Sequence, residues 1–247
     1  MTAHALFSPS SMALITKCPF ALSIKTPNEF SQAASEGTAR HAEMEEIVKK
    51  HEMFGLNTAS DDFLVSKTAT FLLFLLDGMD ENRVVLSEVK VHFNDLLNVE
   101  PDKAFGTADL VIYEPISKRL SILDYKFGRV PVSATNNVQL SIYAYGALFY
   151  LMKNKIINTV IDVQEIVLGI LQPQAEQLYN SFNTNPASLF GFLQNIIKPV
   201  DFVKYLETNN AKDLKKCAGE HCTSLFCKGK ERCRAYHDWC ISAFDML

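Results

Sequence analysis

No apolar run in the 247 residues approaches the about 20 needed to span a bilayer. The longest, FLLFLLDGM from Phe71 to Met79, is short and is broken by Asp77. The N-terminus also lacks the basic-then-apolar order of a signal peptide. The sequence therefore predicts a cytoplasmic protein with no membrane partner. Excess positive charge is missing too. A formal net charge of −4 excludes a uniformly basic coat for nucleic acid, although a local basic groove stays open. Internal repeats, low-complexity linkers, helicase motifs and the glycine-rich phosphate loop of a nucleotide-driven motor are all absent, as is any flavin or nicotinamide signature. With 48% hydrophobic and 21% charged residues the composition is that of a globular protein, and residues 1–247 are expected to form one domain.

Cysteine is scarce until the end of the chain. Of six, five fall between Cys217 and Cys240, and the sixth, Cys18, stands alone in TKCPF. A secreted disulfide framework spreads its cysteines through a small domain. Crowding at one end of a larger chain points to metal ligation. In HCTSLFCKGKERC, Cys222, Cys227 and Cys233 are separated by four and five residues, and the C-x2-C pairs usual for zinc do not occur. Three thiols leave a four-thiolate site one ligand short, a place that Cys18 can fill. Cys217 and Cys240 are then surplus buried thiols. Lys228, Lys230, Arg232 and Arg234 interleave with the ligands. A metal-ordered tail presents them to a phosphate path, and a flexible tail makes them a solvated face.

What is present earlier is periodicity. Ser8 to Ser11, with Pro9 among them, opens a short helix that carries ITKCPFAL, and Asn28 to Met53 reads as an amphipathic helix containing EGTARHAEMEEIV. Asp61 to Gly78 is a further helix. Alternation then replaces the helical period: Val84 to Phe93, Thr107 to Glu114 and Leu120 to Phe127 read as strands, the last two joined in a hairpin through PISKR. Asn136 to Lys153 is a helix with Asn capping signals, Val160 to Pro173 contains a strand, and two short helices are expected over Ala175 to Phe182 and Pro186 to Ile197. The order predicts an α/β protein: a small mixed sheet flanked by helices, a helical N-terminal part and a Cys-rich tail.

DYKFG closes the third strand, at Asp124 to Gly128. Asp109, in GTAD of the preceding strand, and Asp124 lie on strands only about 5 Å apart. Two such acids suit a hard divalent cation such as magnesium. Lys126, two residues beyond Asp124, leaves the strand on the same face, where it can position water or neutralise charge on a phosphate. Alone, an acid-x-Lys at a strand end is more often a solvated ion pair.

The wider pattern resembles the PD-(D/E)XK nuclease superfamily, in particular its RecB-like branch. Gly37 and His41 supply G-x-x-x-H on a helix, and Glu88 in SEVKV supplies the strand glutamate. Gly106 to Asp109 give G-x-x-D, Asp124 to Lys126 give D-x-K, and Gln139 with Tyr143 give Q-x-x-x-Y on the next helix. The resemblance implies a restriction-endonuclease-like core and a magnesium- or manganese-dependent deoxyribonuclease, an exonuclease of phage or prophage type working in DNA recombination or processing. It implies Asp109, Asp124, the Tyr125 carbonyl and a His41 ring nitrogen as metal ligands, with Lys126 assisting the hydrolytic water. Glu88 is a ligand, a water-orienting carboxylate or a surface ion pair with Lys90. Gln139 and Tyr143 share a helix face that touches the DNA backbone or braces the site.

A subset of RecB-like nucleases binds a 4Fe–4S cluster through one cysteine before the first motif and three after the last. That pattern implies Cys18, Cys222, Cys227 and Cys233 as ligands, joining the 217–240 tail to Cys18. The wide first spacing leaves Cys217 as an alternative to Cys222, and structural zinc is the alternative to the cluster. DNA, at single- or double-stranded ends, is the implied partner, together with a recombination protein. A non-catalytic, nuclease-fold protein that grips DNA ends is the competing reading, and an iron–sulfur redox carrier ranks behind both.

Overall fold

Two features set where the helices begin. Asp62 accepts hydrogen bonds from the Leu64 and Val65 amides, and Asn137 accepts one from Leu140, so both carboxyl or amide oxygens satisfy amides that a helix N-terminus leaves unpaired. The computed structural model describes residues 5–24, 32–56, 59–197, 210 and 214–244. In chain order, α1 (Pro9–Lys17) and a 3-10 turn (Pro19–Ser23) precede two long helices, α2 (Gln32–Phe54) and α3 (Phe63–Asp77). Then come β1 (Val84–His92), the short α4 (Asn94–Leu97), β2 (Phe105–Glu114), β3 (Arg119–Tyr125) and α5 (Val138–Lys153). Strands β4 (Glu165–Leu171) and β5 (Tyr179–Thr184) and helix α6 (Pro186–Ile196) follow, and the tail holds helices at His221–Ser224 and Arg234–Phe244. Residues 28–31 of the expected second helix lie outside the described residues. No helix among the described residues is long and apolar enough to cross a membrane.

The chain divides into two compact units. One, Phe30–His92 with Gly106–Phe192, contains a five-stranded mixed sheet in the order β1-β2-β3-β4-β5. Strands β2 and β3 are antiparallel, β3 and β4 parallel, and β4 and β5 antiparallel. Near-continuous apolar runs in β2 and β3 are buried on both faces, as a helix-covered sheet requires. Leu110, Ile112, Leu123 and Tyr125 from one face join Met44, Ile47 and Val48 of α2 and Leu72, Leu73 and Leu76 of α3 in one core. Helix α5 packs against β1, β3 and β4. It comes so close that a Cβ on Gly146 would lie 2.7 Å from Val91 Cβ and 3.0 Å from the His92 carbonyl.

The α/β architecture matches the sequence expectation; one element does not. The helix expected over Ala175 to Phe182 is absent. Residues Tyr179–Thr184 instead form the edge strand β5, with Ser181 and Asn183 exposed between half-buried neighbours. Its pairing runs from Leu171↔Tyr179 to Ile166↔Thr184. The segment is too polar to announce a strand by itself, and the hydrogen bonds that β4 offers decide its state. The expected strand over Val160 to Pro173 begins late, after a 3-10 turn at Val160–Asp162.

The second unit comprises Met1–Glu29, Phe93–Phe105 and Leu193–Leu247. The Phe7 amide donates to the Lys103 carbonyl, and the Phe20 amide donates to the Lys215 carbonyl. These bonds hold the N-terminal helix against segments far away in sequence.

Candidate metal centre and thiol cluster

Strand pairing brings the two acids together. The β2–β3 register sets Leu110 opposite Leu123, and one step further it sets Asp109 opposite Asp124. Asp109 is 7% exposed and Asp124 2%. Asp109 Oδ2 accepts the Tyr125 amide at 2.7 Å, which fixes its carboxylate, and Asp109 Oδ1 lies 3.1 Å from His41 Nδ1 of α2. One ligand atom each from His41, Glu88 and Asp109 can be chosen so that all lie within 4.8 Å of one another, a spacing a single cation can bridge.

Glu88 reaches this position through an unusual backbone. Its φ is +52°, left-handed, in the middle of β1. Before it all strand residues are half-buried, and after it burial alternates strictly. A non-glycine residue in this region costs about 1–3 kcal/mol and tends to occur where a strand must re-aim a side chain. Nothing in SEVKV signals this conformation.

Asp124 turns to a different set of partners. Its Oδ2 pairs with Lys126 Nζ at 2.7 Å, and its Oδ1 accepts Gln139 Nε2 at 3.0 Å. Lys126 Nζ also donates to Gln139 Oε1 at 3.3 Å, and Gln139 Nε2 contacts the Tyr143 hydroxyl at 3.2 Å. The single turn between Gln139 and Tyr143 on α5 thus braces the D-x-K pair. Tyr125 contributes its amide to Asp109 and its ring edge to His41, 5.8 Å between centroids, while its buried hydroxyl has no partner among the described residues.

The electrostatics favour protons where a cation would sit. Burial first, and the charge of Asp109 second, push Glu88 up to about 7. The same two causes push Asp124 up to about 6 against the pull of Lys126. For His41 burial works downward, but its hydrogen bond to Asp109 and the charges of Asp109, Asp124 and Glu88 together raise it. Burial, joined by Asp124, also drives the Tyr143 hydroxyl upward. Several acids sharing one buried site hold protons that a divalent ion displaces.

Sequence reasoning passed over a set of amides beside the site. Gln172 is 1% exposed. Its Nε2 donates to the Gly128 and Val130 carbonyls at 2.7 and 2.8 Å, and its Oε1 accepts the Val132 amide at 3.0 Å. Asn180 of β5 accepts the Ala134 amide at 2.7 Å and donates to the Val132 carbonyl at 3.1 Å, while Gln174 donates to the Phe127 carbonyl. Three amide side chains thus hold the loop that leaves Lys126. In the sequence they are ordinary polar residues of a hairpin.

In the other unit the sequence expectation concerns Cys18, Cys222, Cys227 and Cys233. Cys18 lies at the junction of α1 and the 3-10 turn, and its Sγ accepts the Cys217 amide at 3.4 Å. Burial pushes the Cys222 thiol up, the Gly219 amide opposes it, and Cys227, Cys18 and Cys233 stand near enough to add to the rise. Cys222 and Cys227 are buried, and Cys217 and Cys240 are half-buried. Among the described residues no three of these thiols lie within 4.8 Å of one another.

Residues 4–245 match the family model described as "Protein of unknown function (DUF2800)". The chain belongs to that family. This DUF2800 chain also has partial likenesses to solved structures. One is a candidate exonuclease from Eubacterium rectale, with 11% identity, a TM-score of 0.44, and 84% of this chain and 87% of that chain covered. Another is a phage-related exonuclease from Haemophilus somnus 129PT, with 16% identity, a TM-score of 0.26, and 79% and 91% covered. At this level neither likeness assigns an activity to the DUF2800 chain, and the functional reading rests on the geometry of its own residues.

Proposed function

We propose that this protein is a metal-dependent deoxyribonuclease of the RecB-like PD-(D/E)XK type, an exonuclease that hydrolyses phosphodiester bonds during DNA recombination or processing, in a phage-related setting. The observation that carries the reading is the trio His41, Glu88 and Asp109, with ligand atoms within 4.8 Å of one another, beside the Asp124–Lys126–Gln139 network. His41, Glu88 and Asp109 would hold magnesium or manganese, with Asp124 turning in from Lys126 as a further ligand. A bound ion of this kind supplies Lewis acidity to the phosphate and makes its water more acidic.

The chain's own groups do the rest. The Tyr125 amide keeps the Asp109 carboxylate in one orientation. Lys126, held between Asp124 and Gln139, places a fixed positive charge beside the phosphate, where it stabilises the negative charge that develops as water attacks phosphorus. Water adds to phosphorus and the bond to the leaving 3′ oxygen breaks, so the products are a 5′-phosphate and a 3′-hydroxyl. Gln139, fixed by Tyr143, keeps the lysine from swinging into solvent.

Cys18, Cys222, Cys227 and Cys233 would hold a 4Fe–4S cluster that staples the tail to the N-terminal segment without redox work, within a single nuclease domain. A tetrahedral zinc needs its thiolates about 3.8 Å apart, given metal–sulfur bonds of about 2.3 Å. Structural zinc on the same thiols is the alternative, and metal content separates the two.

The test uses linear single- and double-stranded DNA with manganese, magnesium or EDTA. Metal-dependent degradation that vanishes in Asp109→Asn and Lys126→Ala is expected. Undiminished cleavage in both variants overturns the reading, and metal-independent binding of ends without cleavage returns the non-catalytic alternative. Visible absorbance and iron content of the same preparation separate the cluster from zinc.

A further inference from the structure

The tail carries an exposed aromatic residue in a costly conformation. Phe226 is 65% exposed with φ +52°, just after the His221–Ser224 helix. That left-handed position normally takes glycine or asparagine, since a side chain there crowds the backbone. The turn is nonetheless well formed: the Phe226 amide donates to the Thr223 carbonyl and the Cys227 amide to the Cys222 carbonyl. Local stability would be better served by glycine, and burial gives no compensation for the ring.

The stretch from Phe226 to Arg234 is mainly basic: Lys228, Arg232 and Arg234 are exposed and Lys230 half-buried, Glu231 is its single acid, and Arg234 also lies 3.8 Å from Asp238 on the following helix. This local charge opposes the net −4 of the whole chain. Thr223 Oγ1 meets the Tyr236 hydroxyl at 2.9 Å, which ties the Phe226 turn to the Arg234–Phe244 helix. On that helix Tyr236 stacks with half-buried Trp239, 5.9 Å between centroids at 23°. Cations that can follow a phosphate chain, with a ring free to stack on a base, suit single-stranded nucleic acid, whose unpaired bases offer open π-faces. A duplex hides those faces, and an acidic protein would leave Phe226 without a role.

We propose that Phe226, with Lys228, Lys230, Arg232 and Arg234, forms a binding surface for single-stranded nucleic acid, the ring stacking on a base and the cations pairing with the flanking phosphates. This grip requires no hydrolysis, so its failure and the failure of the nuclease reading are separable. Binding is measured by fluorescence anisotropy on full-length Asp109→Asn protein, without added divalent metal, using a labelled 20-nucleotide oligothymidylate. Oligouridylate and a duplex of equal length are run beside it. Phe226→Gly is expected to weaken single-strand binding about tenfold while melting at or above the parent temperature, because glycine accepts the left-handed turn. Phe226→Trp is expected to restore the affinity. Replacing the four cations by glutamine should reduce the slope of log affinity against log salt by about 3, with Phe226→Gly leaving that slope unchanged. Equal affinity for oligothymidylate and oligouridylate assigns the recognition to phosphate and base face, and a preference for one adds sugar contacts; the proposal stands in both. Undiminished binding in Phe226→Gly and in the glutamine variant, or duplex bound as tightly as single strand, overturns it.

Discussion

Replacing Glu88 by glutamine should make the metal-free protein more stable while removing its activity. In the fold Glu88 is raised from 4.5 to about 7, by burial first and Asp109 second. The folded state therefore favours the protonated carboxyl. Its stabilising contribution is complete below about pH 4.5 and is lost as pH rises through about 7. By pH 8 the wild-type fold must hold a charge it disfavours. A fully sealed group with this gap would cost about 3 kcal/mol. Glu88 is half-buried, and solvent screening brings the figure to about 1–2 kcal/mol. For a chain of this length each kcal/mol moves the melting temperature by about 2–4 °C. Glutamine keeps the size and carries no charge, so Glu88→Gln should melt about 2–8 °C above wild type at pH 8 in EDTA, and near it at pH 4.5. Manganese should reverse the order, because wild type gains the binding free energy that the variant has lost. Circular dichroism melts at both pH values, with and without metal, provide the measurement. A Glu88→Gln protein that melts below wild type at pH 8 in EDTA refutes the assignment of Glu88 to a site built for a cation.

Other expectations follow from the same geometry. Metal binding should release protons, and apparent manganese affinity, followed by calorimetry, should fall as pH drops from about 7 to about 6, because Glu88 and Asp124 must give up protons; affinity that is flat across this range contradicts the shared site. Lys126→Met should lower DNA hydrolysis by about 100-fold or more with little change in melting temperature, measured as the initial rate on linear duplex. Gly146→Ala should destabilise by about 1–3 kcal/mol, since the added carbon would sit 2.7 Å from Val91 Cβ; urea unfolding reads this directly. Asp62→Ala should cost about 1 kcal/mol by freeing the Leu64 and Val65 amides and Arg40, which Asp62 binds at 2.8 Å.

Much of this molecule could be read from its residues because its strands and helices declare themselves locally. Buried alternation in Val84 to Phe93 and the paired runs around PISKR correspond to β1, β2 and β3, and Asn137 caps α5 where the capping signals stood. Strand β5 differs from the helix its residues suggest because its state depends on β4, a partner contributing no local signal. At the candidate site, the two-residue spacing puts Asp124 and Lys126 on one face of the strand, where they pair at 2.7 Å. Which acids gather around His41 was not legible, because that depends on a left-handed Glu88 in mid-strand and on Asp124 choosing Lys126 and Gln139. The cysteines stand out in the sequence as a group, five of six between Cys217 and Cys240, and such crowding points to ligation.

The amides of Gln172, Gln174 and Asn180 give the β4–β5 hairpin control over the chain that emerges from the lysine. Phe127 to Ala134 thus behaves less as a free linker than as a casting whose mould is the far margin of the sheet. Lengthening the hairpin, or shifting its register by one residue, would redirect the rim beside Lys126 without altering a single charged group. The opening beside Asp124 and Lys126 would then change shape while the acids, imidazole and amine of the site stayed in place.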